Sequence, residues 1–297
     1  MHRTALLECA VLVLLNHMIR SVSALAGLFL IATVFADTTP APVLPVVLSE
    51  APKSFTVATS APPVSAPSYV VFDVATGEVL VEMDPRTKRP IASVTKLMTG
   101  DVLLGSGRAL DQSVRITATD VATEGRAGSL RVGEIYKTRE LLFPLLLESS
   151  NDAATALTRA RDSVLISQMQ ERLSAFGITI TDASGLSEQN QASAEALAQY
   201  LAEVYKTQPH LFDITRLTQY LGTDKGWRNN SPVANLPGYR GGKHGYTEAA
   251  GRTLAAVFTE EITGENRAIG YILLGSNNLR EDVIVLRDFV VNQVSYQ

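Results

Sequence analysis

The stretch Ile91-Ala-Ser-Val-Thr-Lys-Leu-Met-Thr-Gly100 sets a hydroxyl and an amine three positions apart in an otherwise apolar segment. Residues at i and i+3 are neighbours on one helix face, so the Lys96 amine can approach the Ser93 hydroxyl without any loop rearrangement. A serine hydroxyl is a poor nucleophile until a base takes its proton. Lysine becomes such a base only when desolvation or another cation lowers its pKa, and the apolar residues around Lys96 supply the first condition. Leu97, Met98, Val102 and Leu103 recur at helical spacing and extend a helix away from Ser93. Two unrelated surface residues fit the same spacing, so partners elsewhere in the chain decide the reading.

The chain has 297 residues, 46% hydrophobic and 19% charged, enough to bury at least one sizeable core. Its formal net charge of -4 gives no basic excess of the kind that neutralises phosphates, which argues against a nucleic-acid partner. Arg20 is followed by SVSALAGLFLIATVFA, an uncharged, mainly apolar run. It is short for a membrane span, and Val34-Phe-Ala36 makes an acceptable cleavage site before Asp37. Residues 1–36 therefore read as a signal peptide, or as an amino-terminal anchor if uncleaved, and Met18 is a candidate start. The protein is expected to be exported, to the periplasm or cell envelope, touching a membrane only if this segment is retained. Cys9, the single cysteine, lies inside it, leaving the exported part without a disulfide or thiol nucleophile.

Residues 37–67 hold seven of the thirteen prolines and read as an extended linker. Folding is expected to resume at 68 and run to 297. Tyr69–Val74 and Val79–Glu82 read as two strands joined by a glycine-containing turn. Helical patterns follow: an apolar helix from Thr138 to Leu147 kinked at Pro144, one starting near Asn151, and one capped by Ser193. Strand patterns return at 243–247, 253–259 and 269–274, before a helix around 282–291. This order predicts an α+β domain whose antiparallel sheet takes strands from both chain ends and is covered by helices.

Two further segments carry candidate chemistry. Ser149-Ser-Asn151 lies between an apolar helix and the next one, where a serine can relay a proton and an asparagine carbonyl can hold an ammonium; helix capping explains the same residues equally well. Gly241-Gly-Lys-His-Gly245 opens a strand with a cation and a bare backbone that another chain can approach closely. In this order the three pieces resemble the S-x-x-K, S-x-N and K-T-G triplet of penicillin-recognising serine enzymes. With the flanking Arg89-Pro-Ile-Ala-Ser-Val-Thr-Lys-Leu-Met-Thr99, Ser149-Ser-Asn-Asp-Ala-Ala154, Asp182-Ala-Ser-Gly-Leu186 and Lys243-His-Gly-Tyr-Thr-Glu-Ala-Ala-Gly251, the chain resembles the D-alanyl-D-alanine carboxypeptidases, the low-molecular-mass penicillin-binding proteins, over about residues 68–276.

The resemblance implies a β-lactamase/transpeptidase-like fold and a peptidase acting on peptidoglycan stem peptides or cross-links, inhibited covalently by β-lactams and needing no metal or cofactor. It implies Ser93 as acylated nucleophile, Lys96 as its base, and Ser149 and Asn151 as proton relay and substrate holder. Lys243 would polarise Ser149 and favour an anionic substrate, with Gly245 beside it. The backbone amides of Ser93 and Tyr246 would form an oxyanion hole. Arg267 matches a family arginine that helps bind the substrate's terminal carboxylate. His244 departs from the pattern, standing where the family has threonine. Its imidazole can donate a hydrogen bond and, when protonated, add positive charge, which predicts tighter substrate binding at mildly acidic pH. The family likeness extends to single-domain members, among which D,D-endopeptidases are found. A class A β-lactamase would need a deacylating glutamate in an E-x-x-L-N loop, which is absent; Glu188-Gln-Asn190 falls in that interval without the pattern. A binding or regulatory protein on a weakened enzyme fold is the alternative of a different class.

Overall fold

Six consecutive buried residues, Ser68-Tyr-Val-Val-Phe-Asp73, form a strand covered on both faces, and the rest of the sheet is built around the same constraint. The computed structural model describes residues 55–57, 61–124, 129–162, 164–222 and 225–296. The strands are β1 (Phe55–Val57), β2 (Ser68–Asp73), β3 (Val79–Met83), β4 (Arg89–Pro90), β5 (Ser113–Arg115), β6 (Ile135–Lys137), β7 (Gln191–Ala192), β8 (Gln219–Leu221), β9 (Gly226–Arg228), β10 (Tyr239–Thr247), β11 (Gly251–Ile262), β12 (Glu265–Ser276) and β13 (Val294–Tyr296). The helices are α1 (Thr95–Leu104), α2 (Ala118–Val121), α3 (Thr138–Phe143), α4 (Asn151–Ala160), α5 (Val164–Ser174), α6 (Ala194–Thr207), α7 (Pro209–Thr215) and α8 (Leu279–Gln293).

The main sheet has the order β10-β11-β12-β2-β3, all neighbours antiparallel. It takes strands from both chain ends, as the sequence predicts. Side chains alternate across it. Tyr69, Val71, Leu254, Ala256, Phe258, Tyr271 and Leu273 pack in one core with Val283, Leu286 and Val290 of α8. Val70, Phe72, Ala255, Val257, Ile272 and Leu274 join a second core with Leu97, Leu197 and Leu201 from the helical block. With helices on both faces, β11 reads as an almost unbroken apolar run, TLAAVF, where a half-exposed strand would alternate.

Helix α1 runs through the middle of the helical block, with eight of its ten residues buried. That explains its lack of a polar stripe, since a helix wrapped on all sides needs none. Helix α3 ends at Phe143, and Pro144–Glu148 continues as a single π-helical turn. Pro144 has no N–H to donate into the ladder, so the expected kink is accommodated by widening one turn. The turn delivers Ser149 in the left-handed conformation, φ 63 and ψ 36.

The expected signal segment, 1–36, and most of the expected linker lie outside the described residues. The carboxy-terminal end of that linker is packed into the domain. Phe55–Val57 pairs with Val294–Tyr296, and Ser65 donates from its N–H and hydroxyl to the two carboxylate oxygens of Asp282 at 2.8 and 2.7 Å. Ala66 is buried. The boundary expected at residue 68 therefore moves toward the amino terminus, because the first turn of α8 offers a carboxylate to the serine.

Candidate active site

Ser93 lies in a 3-10 turn, Ala92–Val94, directly before α1. Two glycines clamp the turn. A Cβ on Gly245 of β10 would lie 2.5 Å from the Ser93 nitrogen, and one on Gly185 would lie 1.9 Å from the Ala92 carbonyl oxygen. No side chain fits at either position, so β10 closes on the turn from one side and the 182–187 loop from the other. Thr253 also fixes the entry, its hydroxyl donating to the Ile91 carbonyl at 2.9 Å.

Lys96, the second residue of α1, is fully buried. Its Nζ lies 3.0 Å from Ser93 Oγ, 2.8 Å from Asn151 Oδ1 and 2.6 Å from the Ser184 carbonyl oxygen. A neutral amine has two N–H donors and one lone pair. Asn151 and Ser184 are acceptors only at these atoms, so they take the two donors and leave the lone pair facing the serine hydroxyl. Burial lowers the Lys96 pKa from 10.5 to about 7, against an opposing pull from the Asp182 charge.

The Ser149-Ser-Asn motif divides its labour. Ser150 is the N-cap of α4, accepting from the Ala153 N–H at 3.1 Å. Ser149, held left-handed on the preceding residue, is free of that capping duty and sits two residues from Asn151. Asn151 bridges the site, accepting from Lys96 and donating to the Glu124 carbonyl at 3.0 Å. Capping thus falls on Ser150 and leaves Ser149 outside it.

The loop that bonds Lys96 was missing from the candidate set. Asp182 Oδ1 accepts from the Ser184 N–H, the Ser184 hydroxyl and the Gly185 N–H, each at 2.7 Å, while Oδ2 accepts from the Ser187 N–H at 2.9 Å. Burial pushes the Asp182 pKa up, but these hydrogen bonds outweigh it and hold the carboxylate below its ordinary value. Buried Asn190 ties the same loop to the helix, donating to Thr95 Oγ1 at 3.1 Å. The result is a rigid backbone carbonyl aimed at the Lys96 amine.

Lys243 is buried, with its Nζ 2.7 Å from the His244 carbonyl oxygen. Burial, and then the nearby Lys96 charge, lower its pKa well below the lysine range. A protonated Lys96 therefore disfavours a second charge on the buried Lys243 amine. His244 is half-buried and Tyr246 exposed on the edge strand β10. Arg267 does not join this group. It pairs with buried Asp73 at 2.6 Å and with Glu265 at 3.4 Å. In register it lies opposite Glu260, five residues along β11 from Ala255, which faces Lys243. At about 3.3 Å per residue that is roughly 16 Å along the sheet. Its carboxylate-binding assignment is therefore corrected: the residue bonds the β12 hairpin end to β2.

A family model described as D-alanyl-D-alanine carboxypeptidase matches residues 55–274. The chain belongs to this family. Among curated members, the D-alanyl-D-alanine endopeptidase of Pseudomonas aeruginosa is 33% identical over 141 residues, 45% of this chain and 46% of the relative. A D-alanyl-D-alanine carboxypeptidase of Mycobacterium tuberculosis is 29% identical over 201 residues, 63% of this chain and 68% of the relative. This chain thus spans about half to two thirds of the curated carboxypeptidase-family proteins it resembles. A crystallised D-alanyl-D-alanine carboxypeptidase from M. tuberculosis superposes with a TM-score of 0.70 at 24% identity, covering 78% of this chain and 93% of that one. Cefotaxime-bound penicillin-binding protein D2 from Listeria monocytogenes gives 0.69 at 21% identity over 78% of this chain and 98% of that one. These likenesses establish the family fold, with its antiparallel sheet and helical block.

Proposed function

We propose that this chain is a serine D,D-peptidase that cleaves the bond after D-alanine in peptidoglycan stem peptides or cross-links. The observation that carries the reading is the buried Lys96 amine, within hydrogen-bond distance of the Ser93 hydroxyl and of two carbonyl oxygens at once. Ser93 Oγ attacks the penultimate D-alanine carbonyl while Lys96 takes the hydroxyl proton. Negative charge develops on the carbonyl oxygen, where the backbone N–H groups of Ser93 and of Tyr246 would stabilise it; the close approach of Gly245 to the Ser93 nitrogen supports this pairing. The C–N bond breaks, and the departing amine takes a proton from Lys96, relayed by the Ser149 hydroxyl. Water, deprotonated by the same amine, then attacks the acyl-serine ester, releasing the shortened peptide and restoring Ser93.

A leaving group that is a single D-alanine makes the activity a carboxypeptidase; one that is the amine-bearing side chain of a second stem makes it an endopeptidase. The same site performs either. Export to the periplasm or cell envelope, where this substrate lies, fits the apolar amino-terminal run. β-Lactams are expected to acylate Ser93 by the same attack, with Lys96 taking the hydroxyl proton.

Chromatography of a peptidoglycan digest is the test. Released D-alanine or resolved dimers, absent with Ser93→Ala, are the expected results; an unchanged digest with folded wild-type protein would leave only the binding-protein reading.

A further inference from the structure

Beside the S-x-N segment lies a cleft of about 580 Å³ that the proposed chemistry does not use. Its walls are β6, the start of α3 and the β8–β9 hairpin, contributing Arg131, Glu134, Tyr136, Tyr220, Lys225 and Trp227. The cleft is joined to the catalytic segment by direct bonds. Asn230, just past β9, donates from its backbone to the Leu147 carbonyl at 3.0 Å and from its side chain to the Glu148 carbonyl at 2.6 Å. Lys225 ion-pairs with Glu134 at 2.9 Å and donates to the Ser129 carbonyl, and Ser129 in turn bonds the Glu148 carboxylate at 3.3 Å. Glu148 immediately precedes Ser149.

The lining specifies a class of occupant. Arg131 and Lys225 are balanced by Glu134 and Glu140, so the cleft favours neither an anion nor a cation. Donors and acceptors are interleaved, and the buried indole N–H of Trp227 has no acceptor among the described residues. Apolar surface lies at its edge: the lining residue Ile135 is 55% exposed, and Leu221, which ends β8 between the lining residues Tyr220 and Gly222, is 73% exposed. Neutral hydroxyls that donate and accept together, on a ring with C–H faces, match such a surface.

We propose that this cleft is a second subsite, binding a saccharide of the glycan strand that carries the stem peptide; this rests on the D,D-peptidase reading above. The subsite would anchor the polymer while the peptide end reaches Ser93.

Trp227 is the only tryptophan in the chain, so its emission reports occupancy. Titrating the full protein with the peptide-free repeating disaccharide of peptidoglycan is expected to change that emission saturably, and Arg131→Ala to raise the apparent Kd about tenfold. In turnover, Arg131→Ala and Leu221→Ser are each expected to lower about tenfold the ratio of kcat/KM on a disaccharide-pentapeptide to that on an acylated tripeptide ending in D-Ala-D-Ala. No saturable change in a preparation that labelled penicillin acylates, or an unchanged ratio in both variants, would overturn the subsite and leave the peptidase reading standing. Failure of penicillin to acylate would strike the peptidase reading itself.

Discussion

Replacing Asn151 by aspartate changes one atom's chemistry at the centre of the site and tests how the amine is kept neutral. In the wild type, Asn151 Oδ1 lies 2.8 Å from Lys96 Nζ and accepts a bond without carrying charge. Burial keeps the Lys96 pKa at about 7, so about half the molecules carry free amine at pH 7. A carboxylate at that position attracts the ammonium by about 4 kcal/mol, taking roughly 4 Å between charge centres and an effective dielectric near 20. That corresponds to about three pH units and moves the amine to near pH 10. Free amine at pH 7 then falls to about one molecule in a thousand, so acylation by a labelled penicillin slows by roughly 500-fold. The loss is recoverable: the Asn151→Asp rate should climb about tenfold per pH unit from 7 to 9.5, whereas the wild-type rate levels off above about pH 7. Stopped-flow acylation across this range is the assay. A slow variant whose rate stays flat with pH would refute the view that Asn151 acts by accepting a bond from a neutral amine.

Two further substitutions separate stability from chemistry. Asp152 is buried, its Oδ1 has no hydrogen-bond partner among the described residues, and burial followed by the Asp120 charge raises its pKa from 3.8 to about 6. The folded state thus holds this proton to a higher pH than the unfolded chain does, and the stability it contributes below about pH 4 is lost as pH rises through 6. Asp152→Asn should therefore be near neutral at pH 4 and stabilising by about 2 kcal/mol at pH 8, read from urea unfolding at both values; an equal effect at the two would contradict the assignment. Arg267→Ala strips a buried carboxylate of its ion partner and should cost about 3 kcal/mol, lowering Tm while KM for a D-Ala-D-Ala peptide stays within about twofold. A large KM rise with little change in Tm would restore Arg267 to substrate binding.

The legible parts of the sequence were those with a period or an obligatory side chain. Apolar runs located β2, β11 and β12 because each presents residues to two separate cores, and the Ser93–Lys96 spacing survived even though Ser93 sits in a 3-10 turn ahead of the helix. The Ser184 carbonyl, by contrast, is a backbone acceptor, and no side chain at 184 announces it. Its indirect signal was Asp182 with Gly185, a carboxylate two to three residues ahead of amides it can gather and a glycine where no Cβ fits. Helix α7 starts at Pro209, a residue that breaks helix interiors but is well suited to the first turn, so its position there is not legible from the proline alone. Arg267 was misplaced because likeness was followed without counting register: in an antiparallel hairpin, residues near the β11–β12 turn lie far from those facing Lys243.

The chemistry depends above all on Ser93 being activated by an uncharged lysine. Peptide mapping by mass spectrometry after brief exposure to labelled penicillin at pH 7.5 measures this directly. One adduct, on the peptide containing Ser93, is expected in the wild type and should be lost in Ser93→Ala and Lys96→Ala; an adduct on another residue, or one that forms equally fast without Lys96, would contradict it.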